Sequence, residues 1–168
     1  MSLKRHHGHE REIPYAHIYH ALLPIIFIAI WFLDSQIFHI TTILNGFVPL
    51  AVRLSLFVVI LATAIIFILL SHRAIFRSHQ PPDSLITTGI LAYTRNPMYF
   101  GFLLIYVSFM FLSISIISIG FFFLVFLVYN KMVNFEEKIL ENMFGEQFSD
   151  YKKKVSKWMP NPFKKYGA

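Results

Sequence analysis

Residues 98–135, MYFGFLLIYVSFMFLSISIISIGFFFLVFLVYNKMVNF, decide the fold: 38 positions carry one charge, Lys131, near their end. A membrane-crossing helix needs ~20 apolar residues, so the run is almost twice one span and just under two. Ser113, Ser115, Ser118 and Gly120 interrupt its Phe/Leu/Ile pattern near the middle. We read a tight hairpin of two spans, 98–114 and 117–135, that turns within 113–120. One long tilted helix is the alternative, and it would be badly mismatched with a bilayer. The whole chain is 56% hydrophobic and 14% charged, with 19 Phe, which is far from a soluble balance and marks an all-α integral membrane protein.

Immediately upstream, residues 87–101 read TTGILAYTRNPMYFG. Tyr93, Arg95, Asn96 and Tyr99 thus stand at the mouth of an uncharged run, where polar groups must face protein or water and mark a site. Pro97 lacks an N–H and drives Asn96 out of the helical region, so the backbone there should be irregular. Residues 71–97 are the one long polar connection between spans, broken by Pro81-Pro82, and loops of this length in a small bundle are usually functional. Before it, residues 47–70 form a second span whose single charge, Arg53, is expected to snorkel to the interface, with a place in a polar pocket as the alternative. Residues 34–46, with the turn signal Asn45-Gly46, connect it to a first span over 15–33. Residues 1–14 are polar, basic and expected to be mobile, without the features of a signal peptide. His6, His7 and His9 lack companion ligands, so no metal site is expected.

Charge placement gives the orientation. Lys4, Arg5 and Arg11 precede the first span, Arg73, Arg77 and Arg95 lie in the long loop, and eight lysines follow from position 131 onward. The connections 34–46 and 113–120 hold neither Lys nor Arg. Basic residues favour the cytoplasmic side, so both termini and the long loop are expected there, with four spans between. The net charge of +6 then reflects topology and contact with the anionic bilayer surface, not nucleic acid. With no cysteine, a thiolate nucleophile is excluded.

Residues 136–168 are expected to form cytosolic helices. An amphipathic helix over 134–144 carries the paired acids Glu136 and Glu137 on the same side of the membrane as Arg95, and Gly145 is a plausible stop. A merely solvated face is the bland alternative, weakened by the like charges of Glu137 and Glu141 at i,i+4 spacing. Residues 144–160, FGEQFSDYKKKVSKWMP, alternate aromatics and lysines as an interfacial segment does.

The ordered set Pro81, Leu85-Ile86-Thr87, Gly89, Tyr93, Arg95-Asn96-Pro97-Met98-Tyr99-Phe100-Gly101, then Glu136-Glu137-Lys138-Ile139-Leu140, Phe144-Gly145, Tyr151 and Val155 resembles the isoprenylcysteine carboxyl methyltransferase and phospholipid methyltransferase superfamily. The resemblance covers about half the chain. It implies an integral membrane enzyme that takes S-adenosylmethionine from the cytosol and a lipid-like substrate laterally from the bilayer. It also implies a cofactor site drawn from Leu85, Gly89, Tyr93, Asn96, Pro97, Met98, Tyr99, Asn134, Glu136 and Glu137, and catalytic roles for Arg95, Glu137 and Lys131. Two departures stand out. Asn96 replaces a histidine usual in the carboxyl methyltransferases, so no titrating base sits there. The basic residue that precedes their Glu pair aligns with Met132, with Lys131 beside it, which puts carboxylate recognition in doubt.

Methyl transfer from a sulfonium is an in-line displacement, served by holding donor and nucleophile in line and excluding water. Glu136 or Glu137 suits the donor's ammonium, residues 95–98 and Asn134 suit adenine and ribose, and Tyr93, Tyr99 or Tyr129 can wall the sulfonium. A carboxylate substrate needs no base, whereas an amine or a thiol must lose a proton; the candidate bases are the Glu pair, His72 and His79. The sequence leaves prenylcysteine carboxylate, phospholipid amine and hydrophobic thiol open as substrates. Competing readings are an NADPH-dependent membrane reductase of the sterol reductase type and a non-catalytic adaptor holding anionic lipid through Lys152, Lys153 and Lys154.

Overall fold

The structure, a computed structural model, describes residues 16–76 and 84–160. The His6, His7 and His9 cluster, His79, Pro81-Pro82 and residues 161–168 lie outside the described residues. Among the described residues every regular element is helical: α1 (Ala16–Phe32), α2 (Leu50–Phe76), α3 (Pro97–Leu112), α4 (Ile116–Phe144) and α5 (Glu146–Lys154). Ile18–Phe38, Leu50–Ile75 and Ile116–Phe144 are long and apolar enough to cross a bilayer. α3 has 16 residues and so rises ~24 Å, short of a ~30 Å hydrocarbon core by itself. Outward-facing Ile25, Val59, Phe123 and Leu127 are exposed, which a bundle tolerates only in lipid. The chain is an all-α, multi-pass integral membrane protein.

The apolar run folds as two helices, and its turn is shorter than the serines and glycine suggest. α4 begins at Ile116, N-capped by Ser115, whose Oγ accepts the Ser118 N–H at 3.1 Å. Ser118 and Gly120 therefore belong to the first turns of α4, a correction to the expected turn over 113–120. A second correction concerns residues 134–144: they are not a separate helix but the last turns of α4. Between Gly120 and Gly145 the chain has no Pro or Gly, so nothing interrupts hydrogen bonding as it leaves the membrane. Gly145, at φ +51°, ends α4 with its N–H on the Glu141 carbonyl at 2.8 Å.

The turn end of the bundle is tied by polar groups. A π-helical turn, Leu33–Phe38, continues α1 and buries Asp34, whose carboxylate accepts Thr41 N–H at 3.0 Å and the hydroxyls of Thr41 and Ser115, each at 2.5 Å. Arg53 departs from its expected snorkelling role. Its guanidinium donates to Asn45 Oδ1 at 2.9 Å, to the Leu112 carbonyl at 2.9 Å and to the Val48 carbonyl at 3.2 Å. Leu112 is the last residue of α3, so a cation caps a carbonyl that the helix leaves without a partner. These ties fix α1, α2 and the hairpin at one end and set the helices for the site at the other.

At that other end α2 and α3 pack closely because Gly101 has no side chain: a Cβ there would lie 2.7 Å from Ile68 Cγ1 and 3.0 Å from the Ala64 carbonyl oxygen. α1, α3 and α4 share a core that includes Phe27, Tyr106, Val125 and Tyr129. α5 folds back so that Phe148, Tyr151 and Val155 bury Leu85, and the Tyr151 hydroxyl donates to the Leu91 carbonyl at 2.6 Å.

Candidate functional site

Pro97 is the first residue of α3, where its missing N–H costs nothing. The preceding Asn96 is held outside the helical region at φ −128° and ψ 56°. Its side chain does not cap α3; its amide instead reaches across to α4 and the C-terminal segment, donating to Glu137 Oε1 and to the Lys157 carbonyl, both at 3.1 Å. Arg95 does the same with charge. Its Nε lies 3.1 Å from Glu137 Oε1, and another guanidinium nitrogen donates to the Lys152 carbonyl at 2.9 Å. The Arg95 and Glu137 side chains are only 11% and 10% exposed, so the pair is shielded from water. A short parallel bridge fixes the backbone beneath it: Thr94 pairs with Ser156, Arg95 N–H donates to the Ser156 carbonyl at 2.9 Å, and the Thr94 hydroxyl donates to the Trp158 carbonyl at 2.7 Å.

The two acids are differently employed. Glu137 is committed to Arg95 and Asn96, whereas Glu136, half-buried, accepts the Tyr99 hydroxyl. Tyr99 packs against Tyr129 at 5.6 Å between ring centroids, so the ring whose hydroxyl meets Glu136 is part of an aromatic pair. Tyr93 is half-buried and offers its carbonyl to Ser156.

The other sequence candidates make none of these polar contacts. Leu85 is buried against α5, Gly89 is exposed at φ +64°, and Met98 is half-buried beside the buried Pro97. Lys131 is exposed on α4, Met132 is buried in the core, and His72 is exposed on α2.

Two residues in the site were not foreseen. Lys157 reaches back to α4, donating to Asn130 Oδ1 at 2.5 Å and Asn134 Oδ1 at 2.7 Å. Burial pulls its pKa down from the usual lysine range, while the Glu137 charge opposes the shift. From sequence it reads as an interfacial lysine beside Trp158, and nothing local distinguishes it. His20 of α1 is the second; it packs on Tyr99 at 5.4 Å and on Tyr129 at 5.6 Å between ring centroids. Its signal was legible: a histidine inside an apolar span.

Because Lys157 is the bolt between the C-terminal segment and α4, Lys157→Met should loosen that segment. Hydrogen bonds to a charged group contribute ~1.5–3 kcal/mol each, so a measurable fall in thermal stability in detergent is expected, with faster tryptic cleavage at residues 152–154. Unaltered stability and cleavage would mean the lysine is only draped on the surface.

The family model for phospholipid methyltransferases matches residues 42–147, most of the chain. A protein-S-isoprenylcysteine O-methyltransferase of Dictyostelium discoideum is 36% identical over 77 residues, which is 45% of this chain. The match spans 32% of that relative's length. No solved structure gives a significant match. The matched region runs from the connection before α2 through α3 and α4 into the start of α5, and so includes the segments that meet around Arg95 and Glu137; the chain belongs to the phospholipid methyltransferase family.

Proposed function

We propose that the protein transfers a methyl group from S-adenosylmethionine to a hydrophobic, membrane-borne substrate, with the site on the cytoplasmic side and both termini there. The observation that carries this reading is the meeting of the start of α3 with the acids of α4: Arg95 and Asn96 on Glu137, and Tyr99 on Glu136. The donor is a sulfonium with an ammonium, a carboxylate and a nucleoside, and the groups gathered here suit it. Glu136, fixed by Tyr99, suits the ammonium; the Asn134 amide and the backbone of residues 95–98 suit the nucleoside; Tyr99 and Tyr129 suit the cationic sulfur, worth ~0.5–2 kcal/mol as a cation–π contact. When bound, the donor supplies an electrophilic methyl group. The residues of this chain then have only to bind, orient and exclude water.

Glu137 has a different role from the one a free acid would play. With Arg95 and Asn96 it clamps α4 to the start of α3, so it organises the site and leaves contact with the donor's ammonium to Glu136. Lys131, exposed, is not assigned a step. Orientation is supported by charge: Arg73, Lys131 and the basic α5 share the site's end, while Arg53, the basic residue at the turn end, is consumed in capping α3.

The test is methyl transfer from labelled donor by protein in lipid nanodiscs, offered farnesylcysteine, phosphatidylethanolamine and simple hydrophobic thiols in parallel. Transfer to one of them is expected, and Glu136→Gln should raise the donor KM about 10-fold or more, as loss of a charge-assisted contact does, with a smaller change in kcat. No transfer to any substrate, from protein shown to be folded, would contradict the reading.

A further inference from the structure

Between α1, α3 and α4 lies a cavity of about 170 Å³, walled by His20, Pro24, Phe27, Phe102, Tyr106 and Tyr129 among others. It is slightly larger than a ~150 Å³ apolar cavity known to take up benzene, so it can hold the reacting end of a hydrophobic molecule. Its lining is apolar apart from three side chains. Two of these, Tyr106 and Tyr129, satisfy each other, their hydroxyls 3.2 Å apart. The third is His20, at the end of the cavity nearest Glu136, with Tyr99 and Phe102 of α3 and Tyr129 of α4 around its ring at 5.4–5.6 Å. Behind Tyr99 stands Glu136, hydrogen-bonded by the Tyr99 hydroxyl.

An imidazole at the head of a greasy chamber, beside the place assigned to the methyl donor, is in position to take a proton. We propose that His20 is the general base of the reaction, and that the substrate is therefore an amine or a thiol on a hydrophobic body and not a carboxylate. This rests on the methyl-transfer reading above. In the step, the lone pair of nitrogen or sulfur forms the new bond to the methyl carbon as the donor's sulfur–methyl bond breaks and leaves its electrons on sulfur. The proton of the nucleophile passes to the His20 imidazole. The resulting imidazolium is held among the rings of Tyr99 and Tyr129 and by the Glu136 charge beyond, and it returns the proton to water when product leaves. Among the described residues the other candidate bases are engaged or placed elsewhere: Glu137 is bound by Arg95 and Asn96, Glu136 is assigned to the donor's ammonium, and His72 is exposed on α2, away from this cavity's lining.

The experiment compares wild type with His20→Gln and His20→Ala in nanodiscs. Both variants should bind S-adenosylhomocysteine within about twofold of wild type, which shows that they are folded. Turnover of the amine or thiol substrate should fall about 10²–10⁴-fold, mostly in kcat, and exogenous imidazole should partly restore His20→Ala. The wild-type rate should level off as pH rises, whereas the His20→Gln rate should keep climbing tenfold per pH unit, carried by the fraction of substrate already deprotonated in water. A readout apart from turnover is the imidazole ¹⁵N resonance that His20→Gln lacks: with S-adenosylhomocysteine present, it should move toward the imidazolium position when an amine or thiol substrate is added. If wild type methylates the carboxylate of farnesylcysteine in preference to amines and thiols, or if His20→Gln keeps the wild-type rate and pH profile, His20 is not the base, although the methyltransferase reading stands. If folded wild type methylates nothing, both fall.

Discussion

Glu137→Ala is expected to destabilise the protein by about 3–5 kcal/mol and to abolish S-adenosylhomocysteine binding at any accessible concentration. The cost arises because the Arg95 guanidinium, whose side chain is 11% exposed, would keep its burial and lose its counter-charge. Asn96 would lose its acceptor on α4 as well. The effect on folding can be separated from the effect on binding. Arg95→Met combined with Glu137→Leu removes both charges and fills the space with apolar atoms, a replacement that is often neutral or better for stability. The double variant should therefore regain most of the lost thermal stability in detergent and still fail to bind. Recovery will be incomplete, since Arg95 also ties down the Lys152 carbonyl. A single variant as stable as wild type would show that the pair is open to water.

Gly101→Val is expected to have the second-largest effect. Its Cβ alone would sit 2.7 Å from Ile68 Cγ1 and 3.0 Å from the Ala64 carbonyl oxygen; the first neighbour can rotate, but the second is helix backbone and cannot. α3 must then move off α2. Because α3 begins at Pro97, the movement reaches Asn96 and Arg95, and activity should be lost along with stability. Overpacking costs ~1–3 kcal/mol and sometimes more, with Gly101→Ala at the lower end of the same series. Gly120→Ala is the control: nothing lies within 4 Å of that Cβ, and the site is inside α4, so a gain of roughly 0.8–1 kcal/mol from helix propensity is expected. Thermal unfolding of the three variants in one detergent orders them. Equal stability of Gly101→Val and wild type would contradict the close α2–α3 contact.

What the sequence disclosed and what it hid divide along physical lines. Apolar run length and the serines near 113 announce a hairpin, because bilayer thickness is a hard ruler. Pro97 announces the irregular backbone at Asn96, because the constraint is local. Boundaries were less legible: Ser115 rather than Gly120 opens α4, and α4 runs unbroken to Phe144 since no residue before Gly145 stops it. Arg53 reads as a snorkelling charge only while the α3 terminus that it caps, 59 positions later in the chain, is unknown. Lys157 is hidden for the same reason, being one of many lysines until α5 turns it back onto Asn130 and Asn134. The division of labour within the Glu pair is likewise tertiary. Adjacent positions on a helix point ~100° apart, so only the packing of α4 on α3 decides which acid meets Arg95 and which meets Tyr99. The alternating lysines of α5, read as lipid anchors, are partly neutralised in place: Lys152 pairs with Glu141 at 3.2 Å and Lys153 with Asp150 at 3.0 Å. Such exposed pairs contribute little to stability, and they blunt the case for an adaptor that works through these lysines.

The central claim, that the start of α3 and the acids of α4 together hold a methyl donor, is tested most directly by calorimetric titration of the purified protein with S-adenosylhomocysteine and, separately, with NADPH. Saturable binding of S-adenosylhomocysteine, weakened about tenfold or more by Glu136→Gln, and no binding of NADPH is the predicted result. Saturable NADPH binding with no response to S-adenosylhomocysteine would contradict it and point to a reductase.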